Sequence, residues 1–176
     1  MNRLEISTMA EPPKTTWRSL LERWGLSSLK LNARLLDAEL AVRQPDRDAA
    51  FDLYVELVTR ITTQPLSDQS GTESAALHSV YTLFGLTRET IKTHGRHCVQ
   101  FSRLAIVMLN QKIRPFTAKW HRRYENGAFD DEAHCREFRL ELRELQQTLR
   151  SYAALLAELA EVEDLTSLMP NEIQPD

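Results

Sequence analysis

The chain of 176 residues carries 22 Lys/Arg against 25 Asp/Glu, a formal net charge of −3, and 42% hydrophobic residues. That balance suits one folded domain with a real core and excludes a polybasic or low-complexity chain. Five Gly weigh against a turn-rich β-protein, and two Cys, Cys98 and Cys135, cannot form a disulfide framework.

Leu, Ala, Glu and Arg dominate, which favours helix, so the expected fold class is all-α: a single bundle of five or six helices spanning 15–163. The flanks, 1–14 with Pro12 and Pro13 and 164–176 with Pro170 and Pro175, read as flexible tails. The longest apolar run, Leu104 to Leu109, is far short of the roughly 20 residues that span a bilayer, and the first residues lack the apolar region of a signal peptide. A cytoplasmic protein without a membrane-spanning segment is expected.

In chain order, Thr15 or Thr16 caps a short helix carrying Trp17, Leu20, Leu21 and Trp24, and Gly25 stops it. Residues 27–42 are ambiguous: LKLNA alternates like a strand, while Leu35 to Leu40 are helix formers. The expectation is helix with an extended entrance at Leu29 to Leu31. Asp46 or Asp48 then caps an amphipathic helix to about Thr63, with Ala50, Leu53, Tyr54, Leu57, Val58 and Ile61 as its stripe. After the loop TTQPLSDQSG, a helix runs from about Thr72 to Phe84, apolar at Ala76, Leu77, Val80, Tyr81 and Phe84. Gly85 is expected to end it and Thr87 to cap the next.

That next helix, about 88–124, has a buried stripe through Ile91, Cys98, Phe101, Leu104, Ala105, Met108 and Leu109. Pro115 removes a backbone donor and crowds the carbonyl of Gln111, so the helix should bend or restart near Arg114 and tip Phe116 and Trp120 inward. Asp130 or Asp131 caps the last helix, whose Phe138, Leu142, Leu145, Leu149, Tyr152, Leu156 and Leu159 form an a/d seam. Its expected partner is the long helix before it, and seam left over by the bundle would dock a partner helix or a second copy.

Charge is strongly sorted along the chain. Residues 87–123 hold nine Lys/Arg against one acid, Glu89, whereas 124–176 hold four Arg against thirteen Asp/Glu. The basic segment 87–123 either tracks a nucleic-acid backbone, through Lys112, Arg114, Lys119, Arg122 and Arg123 beside Phe116, Trp120 and Tyr124, or faces the acidic last helix within the bundle. The net acidity favours the internal match. With Phe116, Trp120 and His121, the same residues form the candidate partner-binding surface for a protein or a second copy.

His94, His97, Cys98, His134 and Cys135 lack a Cys-x2-Cys knuckle, and Cys98 fits the buried stripe, so neither a metal nor any other cofactor is expected. Two other spacings carry chemistry: Arg88 with His94, and Arg114 with His121. Both resemble the Arg-x4-6-His motif of HEPN-type ribonucleases, which are small helical bundles that usually act as dimers. The resemblance implies a histidine exchanging a proton with a ribose hydroxyl or leaving oxygen while arginine stabilises phosphate charge. Pro115 directly after Arg114 departs from that family, which usually has a polar residue there.

Three further stretches, YVELVTRITTQPL (54–66), SVYTLFGLTRE (79–89) and LNQKIRPFTAKWH (109–121), resemble small helical proteins of bacterial conflict and anti-phage loci. That resemblance implies an accessory or sensor subunit and assigns no catalytic residue. It also implies that Arg114 or the Thr62 to Gln64 segment supplies a donor to the backbone loosened by Pro115, so that Thr62 to Gln64 would brace the Arg114 to His121 corner. The expectation for function is therefore a non-enzymatic interaction module, with a metal-independent ribonuclease and a nucleic-acid-binding subunit as alternatives.

Overall fold

The computed structural model describes residues 14–60, 62–66 and 71–168. Ile61, residues 67–70 of the expected loop and most of both expected tails lie outside the described residues. The α-helices are α1 (Trp17–Arg23), α2 (Ala33–Leu36), α3 (Gln44–Val58), α4 (Glu73–His94), α5 (Val99–Met108), α6 (Arg114–Glu125) and α7 (Glu132–Ala160). There is no strand among the described residues, only an isolated antiparallel bridge between Thr16 and Glu39. The fold is all-α.

Several helix ends sit where the sequence places them. Thr16 accepts from the Ser19 backbone N–H while the Ser19 hydroxyl accepts from Thr16 N–H, a reciprocal cap for α1. Gly25, at φ 66°, closes it with a left-handed turn. Asp131 accepts from His134 N–H at the start of α7. The 27–42 stretch is helical only at the single turn of α2, capped by Asn32. The chain then runs extended along the entrance to α1, with Leu40 N–H donating to Thr15 C=O.

Asp46 does more than cap its own helix. It lies inside the first turn of α3, which begins earlier than expected, at Gln44, with Pro45 accommodated where no donor is needed. One carboxylate oxygen accepts from Arg43 N–H at 3.1 Å. The other accepts from the N–H groups of Gln100 and Phe101, at 2.8 and 3.0 Å, in the first turn of α5. The side chain is buried, so a single acid closes two helix N-termini.

Gly85 does not end α4. The buried stripe Ala76, Leu77, Val80, Leu83, Thr87 and Thr90 continues through it, and Thr87 is a buried helix residue rather than a cap. A glycine inside a helix costs about 1 kcal/mol, less than packing two more turns gains. The break falls at Gly95, at φ 72°, and a 3-10 turn at Gly95–His97 redirects the chain into α5. The expected continuous helix from 88 is therefore two helices.

From Val99 to Glu125 the helix is unbroken but changes pitch: Leu109–Ile113 is a π-helical turn between α5 and α6. The extra residue in that turn brings Ile113 rather than Lys112 to the core and lets Pro115 sit in the first turn of α6. Gln111 and Lys112 are displaced outward, where Gln111 exchanges two hydrogen bonds with the Lys30 backbone and Lys112 donates to the Ser28 hydroxyl.

The whole α7 seam is buried, but its closest backbone neighbour is α3, not the preceding helix. Ala49 and Ala50 on α3 and Ala153 and Ala157 on α7 are buried small residues that permit close approach. Ion pairing of Arg47 with Glu161 at one end, and donation from Arg150 to Thr63 C=O at the other, set the two helices antiparallel. Thr63 and Gln64 thus brace α3 against α7, with Gln146 donating to Gln64 C=O, and among the described residues no hydrogen bond from Thr62 to Gln64 reaches the corner at Arg114. α6 stands further from α7 because Phe116, Trp120, Phe129 and Phe138 fill the space between them.

Asp46→Ala should destabilise the protein by about 3 kcal/mol, because it strands buried backbone donors at two helix starts. Urea unfolding followed by circular dichroism measures this; a change below about 0.5 kcal/mol would show the shared cap to be energetically idle.

Candidate functional site

The π turn and Pro115 set the rotation of α6, and that rotation divides its basic residues between two faces. On the inner face, Trp120 is completely buried, stacked on Phe129 and edge-on to Phe138, and its indole N–H donates to Glu141 at 2.9 Å. Lys119 pairs with Glu137 and Glu141, and Arg123 pairs with Glu137 at 2.7 Å. Both cations also lie over the Trp120 ring, 5.1 and 4.9 Å from its centroid. The internal charge match holds for these two residues.

The electrostatics follow the contacts. Glu141, then Glu137, hold Lys119 above the usual lysine range, against partial desolvation. Hydrogen bonds from Arg123, then Lys119, hold Glu137 below the usual glutamate range. Stability from Glu137 is present above its unfolded pKa and lost as pH falls through the lowered folded value. Stability from Lys119 is present below its unfolded pKa and lost as pH rises through the raised one.

The outer face of α6 meets α4, antiparallel to it, across a groove of about 260 Å³. Tyr81, Phe84 and Arg88 line it from α4, and Arg114, Thr117 and His121 from α6. The Tyr81 ring meets His121 edge-on at 5.1 Å, and the Arg114 guanidinium lies over Phe84 at 5.1 Å. Arg114 Nε donates to Asn110 Oδ1 at 3.0 Å, which fixes the guanidinium. His121 Nε2 is shut from solvent with no hydrogen-bond partner. Among the described residues, no carboxylate pairs with Arg88 or Arg114.

The structure thus redistributes the residues singled out from sequence. Arg114 and His121 do share one groove, as seven-residue spacing on a helix requires. Arg88 joins them from α4, but His94 does not: its Nε2 pairs with Asp52 on α3 at 2.7 Å. Phe116 and Trp120 belong to the core, Lys119 and Arg123 to the α7 ion pairs, and Lys112 to Ser28. Arg122 remains exposed outside the groove. Tyr81, expected in the buried stripe, is half exposed and forms one wall of the groove.

Neither cysteine is poised for chemistry. Cys98 is buried against the Gly95 carbonyl, while burial and then Glu73 push the Cys135 thiol up. Among the described residues no group of His, Cys, Asp or Glu converges to hold a metal ion, and no helix is long and apolar enough to cross a membrane. Comparison with protein-family models, curated proteins and solved structures finds no match.

Two outcomes follow from this geometry. Trp120→Ala should cost about 3–5 kcal/mol, while His121→Ala should change stability by less than about 1 kcal/mol; thermal and urea unfolding of both variants measures the difference. In Glu137→Gln, acid unfolding should begin from lower stability and show a flatter slope below the usual glutamate range. Parallel pH–stability curves for variant and wild type would mean that the pairs contribute nothing through ionisation.

Proposed function

We propose that this protein is a non-enzymatic helical interaction module, an accessory or sensor subunit of a bacterial multi-protein assembly of the anti-phage kind. The observation that carries the reading is the sorting of cations on α6: Lys119 and Arg123 are neutralised by α7, whereas outward-facing Arg114 borders a groove with Arg88 and His121. Such a groove supplies oriented positive charge beside an aromatic wall, a combination suited to holding a partner.

The buried α7 seam leaves no apolar stripe of its own for a partner helix, which moves the expected interface from α7 to the α4–α6 face. A second copy bound through that face remains within the same reading. Co-purification of neighbouring gene products with the tagged protein, and light scattering of the purified chain, test the proposal. A strict monomer that retains no partner would overturn it.

One observation favours a second reading, a HEPN-like metal-independent ribonuclease: Arg114 and His121 line the same groove. This reading expects RNA cleavage by purified protein that survives EDTA and disappears in His121→Ala. Cleavage of equal rate in that variant rejects it. The nucleic-acid-binding alternative loses Lys119 and Arg123 to internal pairs, leaving Arg114 and Arg122 as its freest cations on α6.

A further inference from the structure

The α4–α6 groove has a definite chemical preference. Arg88 and Arg114 approach it from different helices, and among the described residues neither has a carboxylate partner. Arg114 is already held by Asn110 and the Phe84 ring, so binding an anion to it costs little further ordering. Its planar fork matches a carboxylate through two parallel hydrogen bonds. Beside these cations, half-exposed Tyr81 supplies an apolar wall, steadied by its edge contact with His121.

Resting on the interaction-module reading, we propose that this groove holds a short acidic segment of a partner protein, with an Asp or Glu side chain between Arg88 and Arg114 and a neighbouring aromatic or aliphatic side chain against Tyr81 and Phe84. About 260 Å³ has room for one or two side chains, and lies below the range of roughly 300–1,000 Å³ usual for small-molecule sites. Lys92, exposed one helical turn beyond Arg88, can meet a second acid further along the segment.

The same geometry disfavours a nucleic acid as occupant. A polyanionic backbone needs a continuous track of cations, because its affinity rises with each neutralised phosphate. Here the track is short: Glu89 adjoins Arg88, Lys119 and Arg123 are committed to Glu137 and Glu141, and the chain carries a net charge of −3. A single carboxylate needs only the two arginine forks.

The test is selection of a random-peptide display library on the full-length protein, followed by fluorescence anisotropy with the enriched peptides. Wild type should enrich Asp or Glu next to an aromatic or aliphatic residue. Arg88→Gln and Arg114→Gln should each weaken these peptides about tenfold or more, and Tyr81→Ala severalfold, with Arg122→Gln within about twofold of wild type. All four positions are exposed, and unchanged circular dichroism confirms that the variants fold.

Enrichment without acidic residues, or acidic peptides that bind Arg88→Gln with Arg114→Gln as tightly as wild type, would overturn the assignment. A ten-residue oligouridylate that displaces the peptides at lower concentration than they displace one another would also overturn it, in favour of RNA. If a co-purifying partner is held equally by wild type and the double variant, the groove assignment fails while the interaction-module reading stands. If wild type retains no partner at all, that reading fails first.

Discussion

The architecture hinges on one buried carboxylate. Asp46 accepts from Arg43 at the start of α3 and from Gln100 and Phe101 at the start of α5. Helix starts carry unsatisfied donors and partial positive charge, and burying two of them together without an acceptor would be prohibitive. The shared acid lets the two helices start side by side with their inward-facing donors satisfied. Gln100 extends the arrangement, since its side-chain oxygen accepts from the Trp17 indole of α1. Because α3 packs against α4, α5 and α7, fixing α3 relative to α5 sets the rotation of the whole bundle, including the π turn and α6 beyond it.

Much of this was legible locally and little of it tertiarily. The caps at Thr16 and Asp131, the stop at Gly25 and the α7 seam follow from nearest-neighbour chemistry, and all are present. Gly85 misleads because its helix-breaking tendency is a fraction of a turn's packing energy, and Leu83, Thr87 and Thr90 decide the matter through burial. Asp46 is recognisable as a cap but not as a shared one, since Gln100 and Phe101 lie more than fifty residues away. The choice of α3 over α6 as the partner of α7 depends on side-chain size: alanines admit a close neighbour, whereas Phe116, Trp120 and Phe138 hold one off.

The candidate site divides the same way. Arg114 and His121 share a face through helical geometry alone, and their neighbourhood is readable from spacing. That Arg88 enters the same groove while His94 leaves it for Asp52 depends on the packing angle of α4 against α3 and α6. Tyr81 shows how narrow the margin is. It is flanked by the buried positions Val80 and Leu77, yet one step of 100° around the helix turns it from core to groove wall.

Charge sorting on α6 links the stability of the bundle to its capacity for recognition. An acidic helix beside a basic one could have neutralised every cation, leaving a bland surface. Instead Glu137 and Glu141 lie one turn apart and reach only the inner row, Lys119 and Arg123, across the Trp120 indole. Trp120 acts as the divider: once it is buried, residues to one side of it face α7, while Arg114 and His121 face α4. Leaving Arg88 and Arg114 unpaired costs little because both are exposed to water. Their effect on a partner is larger, since a ligand that covers them exchanges hydration for charge-assisted hydrogen bonds in a partly desolvated groove. The turn of helix that builds the core around Trp120 therefore also determines which positive charges the surface presents.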